Sequence, residues 1–411
     1  MSMKFDTVVL GGGIVGVSVA IHLQKRGLAV ALVDRKAPGN ESSFGNSGLI
    51  QRDAVPYAFP RDFGTLLRYA RNRSLDVHYH VSAMPKLLPF LYRYWHYSRA
   101  DRYATIARSY ATLIEHCLSE HRALIEASGA QALLRTGGWL KAFRSAGKQD
   151  TELLKAKRYN ADYGVAFEAL DAAQLRRAEP SLSHALIGAL RYTDADSTSD
   201  PHALVTAYAN YFEQIGGRIF IGDASTLEPQ WSVSTEAGRI DAHSAVIALG
   251  PWSDTVSKRL GYRLPLAVKR GYHMHYAAKD GARLNQPVVD TEIGYLLTPM
   301  TRGIRLTTGV ELAACDARAT PVQLNAIEPI ARETFPLGAR LVEHPWLGMR
   351  PCTPDMLPII GPAKRHKDLW FTFGHAHHGL TLGPVTGRLL AEMIVGGDTI
   401  TDPFPFRVDR F

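Results

Sequence analysis

The stretch from Thr7 to Asp34, TVVLGGGIVGVSVAIHLQKRGLAVALVD, constrains the fold more than any other part of the chain. Thr7–Leu10 is a short apolar, β-branched run, the pattern of a buried parallel strand. Gly11, Gly13 and Gly16 then form G-x-G-x-x-G, and Ile14–Arg26 is long enough for a helix that stops at Gly27. A second strand, Ala29–Val33, ends on Asp34. The first glycine allows a tight turn, the second lets backbone approach a pyrophosphate, and the third lets helix lie close on strand. The helix N-terminus, with Ile14 and Val15 in its first turn, offers unpaired N–H groups to phosphates. Asp34 stands where an acid accepts hydrogen bonds from an adenosine ribose, with Arg35 beside it. A glycine turn in an ordinary α/β sheet leaves Asp34 unexplained, so the stretch reads as a dinucleotide site.

A chain of 411 residues that is 46% hydrophobic can bury a large core, and its length suggests two domains. It holds no continuous apolar run of roughly 18 residues, so no spanning helix is expected. The first strand begins within a few residues of Met1, and Lys4 is not followed by an apolar run with a cleavage site, so no signal peptide is expected. Cys117, Cys315 and Cys352 are odd in number and widely spaced, which fits a reducing cytoplasm rather than a disulfide framework. The formal net charge of +8 suits solubility, an anionic ligand or anionic lipid, and without a nucleic-acid motif no nucleic-acid partner is expected.

Beyond a loop at Lys36–Asn40 lies ESSFGNSGLI, in which Ser42, Ser43, Asn46 and Gly48 precede Leu49. So small and polar a run lets backbone pass close to a ligand. From Ala54 to Ala130 aromatic and apolar residues recur at helical spacing, as in Ile106, Tyr110, Leu113 and Cys117, and predict two or three helices. The Arg, Tyr and Trp cluster of Tyr92–Arg102 reads either as helices packed on their own domain or as an interfacial patch on a membrane. LRYTDADSTSDP, Leu190–Pro201, reads as a polar loop before a helix from about His202 to Gly216. Asp241–Leu249 is an apolar strand running into Gly250-Pro251-Trp252, a second close approach to the dinucleotide. Leu264 to Leu312 reads as β-rich, Gln323–Phe335 as helical, and Leu369–Phe373 as a last strand before GHAHHGLTLGP and a helix Val385–Val395. The βαβ opening and the βα closing unit must share one sheet to be buried, so the β-rich middle is a second domain. The expected fold is α/β: a Rossmann-type dinucleotide-binding domain, residues 1–60, 188–258 and 345–411. An interleaved β-rich substrate domain with a helical insert takes residues 61–187 and 259–344.

The closing loop carries Gly374, Gly379 and Gly383 directly before a helix, a second helix N-terminus of ligand grade. One dinucleotide needs one such site for its pyrophosphate, and a second suits a flavin, whose reduced ring carries negative charge at the pyrimidine edge. None of the spacings among His273, His275, His375, His377 and His378 forms a metal motif, so no metal is expected.

GGGIVG, ESSFGNSG, ALGPW, GMRPCTPDMLPIIG and GHAHHGLTLGP occur in this order along nearly the whole chain. In them the chain resembles the FAD-dependent amino-acid and amine oxidoreductases that include glycine oxidase, sarcosine oxidase and D-amino-acid dehydrogenase. The aromatic helical insert resembles the last branch most. The resemblance assigns Gly11, Gly13, Gly16 and Asp34 to the adenosine and pyrophosphate, and Ser42, Ser43, Asn46 and Gly48 to the run from pyrophosphate to ring. It assigns Ala248, Gly250 and Trp252 to the adenine side, and Gly374, His375, Gly379, Leu380 and Thr381 to the flavin pyrimidine. Arg350 matches the arginine that grips a substrate carboxylate, as a forked guanidinium suits. Tyr295 matches a tyrosine on the same carboxylate, and Arg270 stands next in line for the clamp. The sarcosine-oxidase branch links its flavin to a cysteine where this chain has Gly348, so FAD is expected to be non-covalent. Where some oxidases carry a lysine over the flavin, this chain has Arg305, Leu306 or Thr307, which leans toward a dehydrogenase.

The resemblance implies oxidative deamination of a small amino acid, most of all a D-amino acid, through an imine to a 2-oxo acid, with electrons passing to an acceptor such as a quinone. Location would be cytoplasmic, or peripheral on the inner face of the plasma membrane. A D-proline or hydroxy-D-proline dehydrogenase, a glycine or sarcosine oxidase, and a non-catalytic flavin-holding subunit are the alternatives, and oligomeric state is open.

Overall fold

A computed structural model describes residues 2–52 and 55–411, so Ala54, where the helical text begins, lies outside it. The opening motif folds as read. Strand Met3–Leu10, helix Ile14–Gln24 and strand Val30–Asp34 form a parallel βαβ unit, Val8 pairing with Ala31 and Leu10 with Val33. Parallel strands Arg218–Glu228, Gly238–Ile247 and Leu369–Phe373 extend the same sheet on both sides. Antiparallel Ile359–Pro362 closes its edge. The chain ends Leu10, Asp34, Ile247 and Phe373 therefore gather at one rim of a parallel sheet, where such sheets hold ligands.

Helix Gly379–Val395 crosses helix Ile14–Gln24 at backbone contact. A Cβ on Gly387 would lie 2.6 Å from the Ser18 carbonyl carbon, and one on Gly383 2.7 Å from Ile14 Cγ1. The helix begins at Gly379, not Val385, because these glycines form the contact stripe of its first turns, with Pro384 inside it. Both helix N-termini thus open on the same rim of the sheet. Helices Ala100–Ile114 and Cys117–Ala127 bury Tyr110, Leu113, Cys117 and Leu124 in the core cluster that holds these two helices.

Between residues 61 and 130 four helices form among the described residues, Phe63–Ala70 and Met84–Tyr97 preceding the two just named, where two or three were expected. The stretch read as a polar loop before the helix Pro201–Gln214 contains strands Gly188–Tyr192 and Ala195–Thr198. Ala195–Thr198 pairs with both Leu49–Gln51 and Leu134–Thr136, and its buried Asp196 is held by Arg122 at 2.8 Å. Side-chain pairing, not apolar alternation, keeps this strand inside, so hydrophobic pattern could not find it.

The second large sheet is built on the strand Ala267–Ala278, which runs antiparallel to Gly303–Thr307 and Trp346–Cys352. Tyr272, Met274 and Tyr276 pack under helix Val322–Thr334 on one face. Lys269, Gly271, His273 and His275 alternate onto the other.

Candidate active site

One cleft runs along the rim from Asp34 to His377. At its first end the three glycines do different work. A Cβ on Gly11 would sit 2.4 Å from the Ala248 carbonyl oxygen, and one on Gly16 would sit 1.9 Å from that of Gly11. Both are closed by packing, Gly11 still bordering the cleft beside Gly13, the N-cap of the helix. Asp34 Oδ2 accepts the Gly12 N–H at 2.6 Å, and Ser43 Oγ accepts the Ile14 N–H at 3.0 Å. The acid and the serine loop thereby set the turn around the helix N-terminus. Arg35 lies over the Trp252 ring at 4.3 Å, and both line the cleft with Val15, Ala248 and Gly250.

Ser42, Ser43 and Asn46 carry the wall onward. Arg305 holds their loop: one guanidinium nitrogen donates to the Asn46 carbonyl, and Nε donates to His275 Nε2 at 3.1 Å. To accept that bond His275 must be neutral, and burial together with Arg305 lowers its pKa to about 4. Trp346 sits where Cβ atoms on Gly45 and Gly348 would overlap its ring, and stacks on His273 at 5.0 Å. The indole thus fills the space that a side chain at position 348 would need. Cys352 is fully buried with Phe90, Tyr94 and Met356, off the cleft wall. Acid precipitation of the purified holoprotein should accordingly release all of its flavin into the supernatant; colour retained in the pellet would refute non-covalent binding.

At the far end Gly379, Leu380 and His375 line the cleft at the start of the closing helix. Gly16, Gly48, Leu49, Gly374 and Thr381 do not line it; they position residues that do. Gly48, at φ +83°, donates to Asn46 Oδ1, and Thr381 Oγ1 donates to the Leu49 carbonyl. Arg350 faces the cleft from Trp346–Cys352, its guanidinium folded over Gly271, where a Cβ would sit 2.1 Å from Nη1. It donates a long hydrogen bond, 3.3 Å, to the Arg270 carbonyl oxygen, and it forms no ion pair among the described residues.

Strand parity corrects two sequence readings. Arg270 points to the opposite face, fully buried, with Nε 2.8 Å from Glu311, so it cannot serve as the clamp. Tyr295 packs with Tyr272, Leu297 and Leu306 in the core under helix Val322–Thr334, near Asp290 and Arg144, and does not share a cavity with Arg350. On the same strand as Arg270, Lys269 does not line the cleft: its ammonium packs against the Tyr94 ring and Met356. It lies directly opposite Arg350 in the strand register, on the same face and 6% exposed. His377, which sequence reasoning missed, lines the cleft, with its Nδ1 buried, and Tyr57 lies against its ring at 5.0 Å.

Burial lowers the pKa of His375 to about 3 and of His378 to about 4, and burial aided by Arg350 and Lys269 holds His377 well below its ordinary value. All three are neutral when folded and bind protons near pH 6.5 when unfolded. Their linkage leaves stability intact above pH 6.5 and removes it as pH falls toward 4, by roughly 1.4 kcal/mol per histidine for each unit. Thermal unfolding of the holoprotein should show Tm falling between pH 6.5 and 5, and His378→Gln should flatten that slope. A Tm constant over this range would contradict it.

The paired helix N-termini, the acid at the turn and the glycine-lined wall fit an extended dinucleotide with an electron-rich ring. A family model described as FAD dependent oxidoreductase matches residues 6–393. A D-amino-acid oxidase of Bradyrhizobium diazoefficiens is 30% identical over 98% of this chain and 98% of its own. A D-amino acid dehydrogenase of Chromohalobacter salexigens is 29% identical over 99% of both chains. Among solved structures, glycine oxidase from Geobacillus kaustophilus superposes with a TM-score of 0.73 at 20% identity, covering 100% of both chains. L-proline dehydrogenase from P. horikoshii gives 0.72 at 20% identity over 100% of this chain and 99% of its own, and likeness at that level establishes the fold alone.

Proposed function

The chain belongs to the FAD-dependent oxidoreductase family, and from that premise we propose that it oxidises the C–N bond of a small amino acid, most of all a D-amino acid. The observation that carries this is Arg350: a partly buried guanidinium on the cleft wall with no acidic partner among the described residues. A planar fork held so is a receptor for a carboxylate.

In this reading residues 1–60, 188–258 and 345–411 hold FAD, and 61–187 and 259–344 shape the substrate end. Helices Ala100–Ile114 and Cys117–Ala127 support the cofactor part, since their cores are shared with it. Gly13, Ile14, Asp34 and Ser43 hold the adenosine and pyrophosphate half, and His375, Gly379 and Leu380 the ring half. Bound FAD supplies a hydride acceptor. The chain's own contribution is positioning: Arg350 fixes the carboxylate and hence the direction of Cα. The substrate amine must be neutral for its lone pair to support the developing iminium. Arg350 favours that form, because a nearby cation lowers an ammonium pKa, and His377, itself neutral, adds no charge. The resulting imine hydrolyses to a 2-oxo acid and ammonia.

Arg305 is committed to the Asn46 loop, which supports a dehydrogenase passing electrons to an acceptor such as a quinone. Exposed Phe63, Leu88 and Tyr92 near Arg61 and Arg93 support peripheral contact with a membrane; among the described residues no helix is long and apolar enough to cross one. The test is anaerobic bleaching of the holoprotein by a panel of D- and L-amino acids. Bleaching by D-amino acids is expected, and a flavin that no amino acid reduces would overturn the reading.

A further inference from the structure

Five histidines lie on the strand Ala267–Ala278 and in the closing loop, and four of them are committed. His273 bonds the Gly45 carbonyl, His275 the Arg305 Nε, His375 the Thr386 hydroxyl, and His378 both Tyr110 and Gln51. His377 differs: its Nδ1 is enclosed with no partner among the described residues. Yet the residue lines the cleft and is only partly buried. The ring edge that a ligand can reach is therefore the one carrying Nε2. Two backbone contacts set this ring beside Arg350. The Ala376 N–H donates to the Pro351 carbonyl at 2.8 Å, and His375 forms a β-bridge with Cys352. Ala376 takes φ +50°, in the left-handed region, so the chain turns between His375 and His377. Burial first, then the charges of Arg350 and Lys269, keep the His377 imidazole neutral, with one N–H and one lone pair. Nδ1 is unpartnered in either tautomer, so a ligand on Nε2 decides which one forms.

Arg350 accounts for the carboxylate of an amino acid and leaves its nitrogen without a partner. The acids that line the cleft among the described residues are Asp34, Glu41 and Asp223. Asp34 accepts from the glycine turn, Glu41 pairs with Arg35 and Lys36, and Asp223 follows the strand residue paired with Asp34. All three stand at the adenosine end, so an ammonium near Arg350 meets no carboxylate. A free amine needs none: its N–H groups need only a neutral acceptor, and its lone pair stays available to the iminium. Resting on the amino-acid reading above, we propose that His377 holds the substrate amine, its Nε2 accepting a hydrogen bond from the neutral amino group while Arg350 holds the carboxylate. Nδ1 then carries the ring proton. Two points of the substrate are fixed instead of one, which stops rotation about the bond between Cα and the carboxylate and presents the Cα hydrogen in one direction.

The experiment uses the FAD-loaded enzyme and follows the flavin absorption spectrum as non-reacting ligands bind. 2-Aminoisobutyrate has a carboxylate and an amine but no Cα hydrogen to lose, and isobutyrate lacks the amine. His377→Leu should weaken 2-aminoisobutyrate roughly three- to tenfold, the scale of one uncharged hydrogen bond, and leave isobutyrate unchanged. His377→Gln, whose amide reaches the Nε2 position, should stay near wild type. His377→Asn, whose amide ends at the Nδ1 position, should behave as leucine does. Arg350→Ala should weaken both ligands. Equal weakening of the two ligands by His377→Leu would put His377 on the carboxylate and overturn the proposal. Unchanged affinity for both in the leucine and asparagine variants would overturn it as well, since His377 would then touch no ligand. The two readings fail separately. If no amino acid bleaches the flavin anaerobically but 2-aminoisobutyrate alone responds to His377, the amine site stands and amino-acid oxidation falls. If amino acids bleach the flavin and 2-aminoisobutyrate ignores His377, oxidation stands and the amine site falls.

Discussion

Arg350→Ala should lower kcat/KM for amino acids by roughly 30- to several-thousand-fold while leaving the flavin content near normal. Truncating one partner of a buried, hydrogen-bonded ion pair costs about 2–5 kcal/mol, and that range converts directly into the loss of transition-state stabilisation. Arg350 is separated in the fold from the cofactor-holding turn at Gly11–Asp34, so the variant should purify yellow. Arg350→Lys should recover little, because an ammonium cannot make two parallel bonds and Gly271 leaves room shaped to a planar group. An amine lacking a carboxylate should be a poor substrate for both proteins and nearly indifferent to the change. Full kcat/KM in the mutant, or loss of its flavin, would show the clamp to be elsewhere. Arg270 could not take its place, since it is spent on Glu311 on the opposite face.

The contrast between Arg350 and Arg270 shows where sequence reading succeeds and where it stops. The βαβ opening was legible because its chemistry is local: glycine spacing, strand, helix and acid lie within a single supersecondary unit. Strand positions in VKRGYHMHY were equally legible, yet which parity faced the cleft was not. That depends on which side helix Val322–Thr334 covers, a long-range fact. Tyr295 was misplaced for the same reason: its strand reads correctly, but odd positions turn under that helix. Gly383 and Gly387 carried a signal that could have been used, because small residues four apart mark a helix face in backbone contact. Read that way, they extend the closing helix back to Gly379. Ala195–Thr198 carried none, since its burial rests on pairing with two other strands and on Arg122, all distant in sequence.

Asp34→Ala should weaken FAD binding more than any single change on the cofactor wall. The residue stands at the end of Val30–Asp34, with one carboxylate oxygen 2.6 Å from the Gly12 nitrogen and the other 3.1 Å from that of Lys36. It therefore orders the glycine turn before any ligand contact is counted, and it borders the cleft where a ribose would lie. Alanine loses two charge-assisted acceptors, each worth about 1.5–3 kcal/mol, which together correspond to a loss of affinity of roughly 100-fold to 10,000-fold. The measurement is FAD titration of the apoprotein, followed by flavin fluorescence. Asp34→Asn separates the two roles. Its amide oxygen can still accept the Gly12 N–H, so the turn is kept, while the charge toward the ribose is lost; it should fall between wild type and alanine. At saturating FAD both variants should regain near-normal kcat/KM for amino acids, because the Arg350 end of the cleft is untouched. Unchanged FAD affinity in Asp34→Ala would mean that the acid organises the turn without touching the ribose. A loss of kcat/KM that saturating FAD does not restore would mean instead that the turn reaches the substrate end.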